Sequence, residues 1–267
     1  MKSTKNQLTA FFAIAFAWMW LINLPRVLAA YGKLTIPDGL SMLMGYLALF
    51  GPGVAAFILT RLQDGKPGVK ALWRSGWRIN FDRKWLLPAI LLVPVSGLLT
   101  WLVLSLMDVP IEWQYGAPPA MIVPIGLLIW LLNAYPEDYG WRGYALPRLL
   151  ERGSPLAASL VLGLIWGLWH LPLHFIPTTT QYVIPVWEYV LQTIVLAVLY
   201  TWLHQATGGS VLIASLFHTF GNIAGAAIPY WTSSEGRWVS FGLLLFFASL
   251  VVVLSPQFNS TEQKTTT

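Results

Sequence analysis

Residues 121–150 read MIVPIGLLIWLLNAYPEDYGWRGYALPRLL, and this stretch decides the fold that the sequence predicts. It is long enough to cross a bilayer as a helix, for which about 20 residues suffice. Its second half places Glu137, Asp138 and Arg142 directly after a strongly apolar run. A charged side chain at membrane depth costs roughly 3 kcal/mol or more, so such groups normally face a cavity inside the protein. The stretch therefore predicts a membrane helix with a functional polar centre.

The composition of the whole chain agrees with a membrane protein. Of 267 residues, 56% are hydrophobic and 10% are charged, against about 25% charged in an ordinary soluble domain. The chain contains no cysteine, which excludes disulfides, a thiol nucleophile and a thiolate metal site. The net charge of +5 is distributed like the topological bias of a membrane protein rather than a nucleic-acid patch, so no nucleic-acid partner is expected.

Apolar runs of spanning length predict an all-α polytopic bundle of about eight transmembrane helices in the lipid bilayer. They lie near residues 8–30, 40–62, 86–108, 119–150, 155–176, 184–204, 209–229 and 237–255. The first run is longer than a typical signal-peptide core, which favours a retained helix. Residues 1–255 are expected to form one integral-membrane domain, and the polar residues 256–267 a disordered tail.

Basic residues fall unevenly on the two sides of this bundle. When loops are assigned alternately, twelve Lys and Arg fall on the side of the termini and three on the other. The positive-inside rule then places both termini in the cytoplasm. The segment 69–86, VKALWRSGWRINFDRKWL, contributes several of these bases. It has the pattern of a helix lying in the interface, or of a solvated basic loop that only sets topology.

The three charges of the fourth span predict a division of labour. Asp138 and Arg142 lie at i and i+4, where side chains meet on a helix, and they favour a supporting ion pair. Glu137 points about 100° away from Asp138 on the same helix. This direction leaves Glu137 free to act as a general base in a cavity.

Imidazole and carboxamide groups occur at matching depth in the fifth and seventh spans. Measured from the cytoplasmic ends of straight helices, Glu137 and His170 both lie roughly 24 Å deep, and His218 and Asn222 roughly 14 and 20 Å. One cavity formed by spans 4, 5 and 7 can hold all four side chains. His174 is separated from His170 by a proline, which favours a place at the rim of the substrate cavity or a role in packing.

These groups are the ingredients for activating water. Glu137, alone or hydrogen-bonded to His170, can take a proton from water that attacks a carbonyl, while His218 and Asn222 donate to the oxyanion. The alternative is that Glu137, His170 and His218 bind one divalent metal such as zinc. No H-E-x-x-H motif is present. Catalysis without a nucleophilic side chain is favoured, and the sequence leaves the metal open.

Three ordered motifs within residues 120–230 resemble E-E-x-x-x-R, F-x-x-x-H and H-x-x-x-N of the CAAX protease and bacteriocin-processing family. This family of intramembrane endopeptidases, also called Abi proteins, includes the type II CAAX prenyl proteases. The motifs stand here as Glu137-Asp138 with Arg142, Trp166 with His170, and His218 with Asn222.

The resemblance implies a helical bundle with a cavity that opens toward the membrane and the cytoplasm. It implies Glu137 and His170 as the water-activating pair, and His218 and Asn222 as the groups that stabilise the oxyanion. Members are classed by some as metalloproteases and by others as glutamate proteases. The implied substrate is a membrane-associated protein or peptide, either prenylated and CAAX-type or bacteriocin-like, and the implied location is a prokaryotic plasma membrane.

The sequence departs from the family pattern at two positions. Asp138 stands in place of the second glutamate and is one methylene shorter, which predicts looser pairing with Arg142. Trp166 stands in place of phenylalanine, and the larger ring is expected to narrow the substrate cavity.

A transporter or an immunity-type binding protein is the alternative function, because such proteins also place ionisable groups in membrane cavities. Transporters commonly show repeated halves with broken helices at corresponding positions. In this sequence the polar centre is confined to spans 4, 5 and 7. This asymmetry favours the peptidase.

Overall fold

The computed structural model describes residues 4–113 and 118–259, and this part of the chain is helical without a strand. The all-α prediction is confirmed. The long helices are α1 Thr4–Ala30, α2 Asp38–Leu49, α3 Gly51–Ser75, α4 Leu86–Leu106, α5 at 122–150, α6 Pro155–Trp169, α7 Val186–Ala206, α8 Val211–Ala227 and α9 Ser234–Leu254.

The chain is a polytopic helical membrane protein. Within residues 4–113 and 118–259, five helical segments are long and apolar enough to cross a bilayer, and α2 with α3 forms a sixth candidate that is bent by 43°. Helix α8 is apolar but shorter, with 17 residues. Each of the eight predicted ranges contains helix, while the number that cross the membrane stays a prediction. On α4, exposed leucines at 87, 91, 98 and 102 form one stripe, as expected of a face that contacts lipid.

The predicted disorder of the tail is wrong at its start. Pro256–Asn259 forms a short helix. Phe258 is partly buried and packs against the core, so burial of an aromatic ring fixes this turn. Residues 260–267 lie outside the described residues.

Helix α5 is not a regular α-helix. It consists of Ile122–Ile129, Tyr135–Gly140 and Leu146–Leu150 in α-helical geometry, joined by the π-helical segments Trp130–Ala134 and Trp141–Ala145. A π-helical segment inserts an extra residue per turn and is frequent at functional sites. The two segments flank Glu137 and Asp138, so the polar centre lies on a short α-helical piece between two distortions.

Serine residues cap the starts of α6 and α8. The Ser154 hydroxyl accepts a hydrogen bond from the backbone of Ala157 at 3.2 Å, and Ser210 accepts one from Ile213 at 3.3 Å. Such caps satisfy backbone N–H groups that have no partner inside the helix. Gly208 and Gly209, both with positive φ, make the turn before α8. These turns set the depth of the histidines on α6 and α8.

The basic segment 69–86 docks on α5 instead of forming one interfacial helix. Its helical part ends at Ser75, and the Tyr135 and Tyr139 hydroxyls donate to the backbone oxygens of Gly76 and Trp73 at 2.6 and 3.0 Å. The Trp73 and Tyr139 rings stack with centroids 5.9 Å apart. Because these tyrosines flank Glu137 and Asp138 in the sequence, the docked segment holds the helix that carries the polar centre.

Gly76→Ala is expected to destabilise the protein by roughly 1–3 kcal/mol, the usual cost of overpacking. A Cβ at this position would overlap the Tyr139 hydroxyl and approach the Tyr135 hydroxyl. Unfolding by SDS titration from mixed micelles measures the change. Gly242→Ala is the matched control, because a Cβ there meets no atom within 4 Å and replacing a helical glycine stabilises by up to about 1 kcal/mol. Equal effects of the two substitutions would contradict the docking argument.

Candidate active site

A cavity of about 430 Å³ is lined by Glu137, His170, His218 and Asn222. The structure thus brings together the four side chains that the sequence singles out for chemistry. More helices line the cavity than the three predicted, which were spans 4, 5 and 7. Helices α4, α7 and α9 also contribute, through residues such as Val93, Tyr189 and Phe241.

Glu137 is held by Trp166, one of the two residues that depart from the family pattern. Its side chain is buried, with 1% of the residue surface exposed, and Oε2 accepts a hydrogen bond from Trp166 Nε1 at 3.1 Å. No donor among the described residues reaches Oε1. Trp166 lines the cavity as predicted, and its N–H orients the carboxylate, which a phenylalanine cannot do. One oxygen of Glu137 is therefore fixed and the other is left for water.

Trp166→Phe is expected to lower kcat about tenfold for the peptide hydrolysis that the sequence predicts, because a hydrogen bond to a charged group contributes about 1.5–3 kcal/mol. The substitution keeps an aromatic ring and removes the donor to Glu137. Steady-state hydrolysis in lipid measures the loss. Trp113→Phe, at an exposed tryptophan outside the cavity lining, is the control. An unchanged kcat in Trp166→Phe would show that the indole N–H does not position the base.

Asp138 and Arg142 form the predicted ion pair. Arg142 Nη1 donates to Asp138 Oδ1 at 2.8 Å, and both side chains are fully buried. The expected loosening by the shorter acid is wrong, because the long arginine side chain reaches back one turn to the carboxylate. Asp138 Oδ2 also lies 3.3 Å from Nδ1 of His218. A single carboxylate therefore links the arginine of α5 to the histidine of α8.

Two aromatic rings enclose the Arg142 guanidinium. Its Cζ lies 4.2 Å from the ring centroid of Trp166 and 3.5 Å from that of Tyr200. Nε and Nη2 have no hydrogen-bond partner and are buried, so the rings are what they face. A desolvated cation over an aromatic face gains about 2 kcal/mol. Asp138 and the two rings together hold the cation in place.

Hydrogen bonds fix the tautomers of His170 and His218, the two histidines that are catalytic candidates. His170 Nδ1 lies 2.8 Å from the backbone oxygen of Trp166, and His218 Nδ1 faces the Asp138 carboxylate. A carbonyl or carboxylate oxygen only accepts, so both Nδ1 atoms donate. In the neutral imidazoles Nε2 then carries the lone pair, which suits His170 to accept a proton. His218 can donate from Nε2 only as an imidazolium, and the Asp138 carboxylate lies beside its Nδ1.

His174 does not line the cavity. The α-helix ends at Trp169 and a 3₁₀ turn, Leu171–Phe175, follows, so His174 is displaced from the face of His170. Its Nδ1 donates to the backbone oxygen of Ile184 at 2.9 Å, and its ring packs against Tyr189. This supports packing beside the cavity.

Sequence reasoning missed two aromatic residues at the site. Tyr189 lines the cavity and contacts the His170 ring edge-to-face at 5.2 Å. Tyr200 lies against Arg142 and also against the His218 ring, at 6.2 Å. Both belong to α7, an ordinary apolar helix by sequence. Only their register on the same helix, eleven residues or three turns apart, signals a shared face.

The described residues do not fit the metal alternative. No group of three His, Asp or Glu side chains in the described part of the chain is arranged to hold a metal ion. We derive no catalytic step through a metal.

Two comparisons with known proteins bear on the family that the chain resembles. Residues 119–224 match the Rce1-like type II CAAX prenyl endopeptidase family, and this segment contains all three motifs. The chain is also 30% identical over 137 residues to CAAX prenyl protease 2 of Methanococcus maripaludis. The resemblance to the CAAX protease family is confirmed. That alignment covers 49% of this chain and 49% of the curated relative, so the CAAX protease likeness rests on about half of each protein.

Proposed function

We propose that this chain is an intramembrane endopeptidase that hydrolyses a peptide bond of a membrane-associated protein or peptide. The observation that carries the proposal is the single cavity lined by Glu137, His170, His218 and Asn222. A general base and a set of donors facing one enclosed space are what hydrolysis by water requires. The match to the CAAX prenyl endopeptidases supports the same reaction.

The proposed mechanism gives each group a role. Water hydrogen-bonded to Glu137 Oε1 attacks the carbonyl carbon of the substrate, and its proton passes to Glu137, with the lone pair of His170 Nε2 orienting the water. The oxyanion that forms accepts hydrogen bonds from the Asn222 amide and from the imidazolium of His218. Collapse of this intermediate breaks the C–N bond, and the proton held by Glu137 passes to the leaving nitrogen. The products are a carboxylate and an amine.

The proposed substrate class is a prenylated C-terminal peptide. CAAX sequences carry a prenyl group on cysteine, and the relative from Methanococcus maripaludis is named a CAAX prenyl protease. A prenyl chain partitions into lipid, which would bring the peptide to a cavity at membrane depth. An unprenylated, bacteriocin-like peptide is the competing substrate.

The test is cleavage by the purified protein in lipid, with prenylated and unprenylated versions of one fluorogenic CAAX-type peptide compared. We expect cleavage of the prenylated peptide, and we expect a chelator to leave the rate unchanged. Loss of activity with chelator, restored by zinc, would overturn the metal-free mechanism while keeping the peptidase. Preference for the unprenylated peptide would move the proposal to bacteriocin-like substrates.

The proposed location is a prokaryotic plasma membrane with both termini in the cytoplasm. The uneven distribution of basic residues supports this orientation.

A further inference from the structure

The cavity has a second polar wall, remote in sequence from the motifs. Glu188 lies in the first turn of α7 and Arg237 in the first turn of α9, and both line the cavity that contains Glu137. Arg237 Nε donates to Glu188 Oε2 at 2.5 Å, and the two side chains are 14% and 11% exposed. Among the residues that line the cavity, Arg237 is the one Lys or Arg.

The protein uses only part of the hydrogen-bonding capacity of Arg237. A guanidinium has five N–H donors. One on Nε serves Glu188, and one on Nη1 serves the backbone oxygen of Trp231 at 3.1 Å. The other three, including both on Nη2, meet no acceptor among the described residues. Arg237 is absent from the buried nitrogens that lack a partner, so its unused donors remain accessible, and the residue itself lines the cavity.

We propose that Arg237 binds the C-terminal carboxylate of the substrate and that Glu188 occupies this position while the cavity is empty. The inference rests on the proposed function and adds how the substrate is recognised. A guanidinium fork matches a carboxylate with two parallel hydrogen bonds. Without Glu188, the empty cavity would hold an almost buried cation with no counter-ion, which is costly. Two carboxylates on one guanidinium repel each other, so the substrate carboxylate displaces Glu188.

This arrangement restricts cleavage to bonds near the end of a chain. The carboxylate at Arg237 and the scissile carbonyl at Glu137 must occupy the same cavity of about 430 Å³. An internal loop of a membrane protein has no terminal carboxylate to offer. The wall at Arg237 would therefore select short C-terminal segments.

The proposed carboxylate site predicts opposite effects of substituting the two members of the ion pair. Glu188→Gln removes the competing carboxylate and keeps the side-chain shape, so peptides ending in a free acid should bind more tightly. Arg237→Gln removes the site, so the preference for a free acid should vanish. A purely structural ion pair predicts that the two substitutions act in the same direction and equally on all peptides.

The experiment measures binding without turnover, in the Glu137→Gln protein in lipid, by fluorescence anisotropy. Two labelled CAAX-type peptides of identical sequence are compared, one with a C-terminal carboxylate and one with a carboxamide. We expect the acid to bind roughly tenfold more tightly than the amide, the size of one charge-assisted hydrogen bond. Adding Glu188→Gln should raise this ratio, and adding Arg237→Gln should bring it to about 1. Equal binding of acid and amide, or a ratio unaffected by Arg237→Gln, would overturn the proposal.

Folding and function are controlled separately. Arg237→Gln leaves Glu188 without its partner, so the Glu188→Gln, Arg237→Gln double variant, which carries neither charge, is measured in parallel and should also lose the acid preference. A retained preference in the folded double variant would refute the role of Arg237. Cleavage of the amide peptide by wild type tests the peptidase activity alone. If the protein cleaves the peptides but binds acid and amide equally, only the proposed carboxylate site is rejected. If it binds the acid selectively but cleaves neither peptide, only the proposed hydrolysis is rejected.

Discussion

Glu137→Gln is expected to reduce hydrolysis by about 10²–10⁴-fold, the contribution typical of a positioned general base. The amide cannot take a proton from water, yet it has the same shape and can still accept the hydrogen bond from Trp166 Nε1. Folding should therefore be retained, because a neutral amide in a buried position costs less than an isolated carboxylate. The measurement is the single-turnover rate with the fluorogenic peptide, together with SDS unfolding of the same preparation.

The matched control for this loss is Glu151→Gln, at an exposed glutamate beyond the end of α5. It changes the net charge by the same amount outside the cavity lining and should leave the rate unchanged. Near-normal turnover in Glu137→Gln would remove Glu137 from the mechanism and assign the proton to His170 alone. Loss of folding together with activity would show instead that the carboxylate is structural.

Much of the site could be predicted because the signals were local. A constant rise per residue, counted from the cytoplasmic ends of the predicted spans, placed Glu137 and His170 at one depth. The spacing of Asp138 and Arg142 predicted their contact from helix geometry alone. These inferences needed only the sequence within one hairpin or one helix.

The parts that were missed depend on contacts between distant segments. The hydrogen bond from Trp166 to Glu137 joins α6 to α5. The sequence shows that a tryptophan stands there, but not the direction in which its indole N–H points. The Asp138 to His218 contact joins α5 to α8 and changes which nitrogen of the histidine can donate. The π-helical turns of α5 also lack a sequence signature, because they arise where packing forces an extra residue into a turn.

Asp138→Leu is expected to be the most destabilising single substitution at the site, at about 3–5 kcal/mol, because it leaves the fully buried Arg142 with no anionic partner. Arg142→Met should cost less. Asp138 would keep one partner, since His218 Nδ1 lies 3.3 Å from its second oxygen and can carry a positive charge. The asymmetry follows from the contacts: Asp138 has two partners among charged and ionisable groups, whereas Arg142 has one.

The double variant Asp138→Leu, Arg142→Met tests whether the two residues stabilise the protein as a pair or independently. Replacing a buried ion pair by apolar residues of similar volume is often close to neutral, so the double variant should be more stable than Asp138→Leu. SDS unfolding in one micelle composition gives all three values for a double-mutant cycle. If the costs simply add, the two side chains act independently and the cation held between Trp166 and Tyr200 does not need Asp138. If the double variant recovers stability but not hydrolysis, the pair is a positioning device that orients His218 for the reaction.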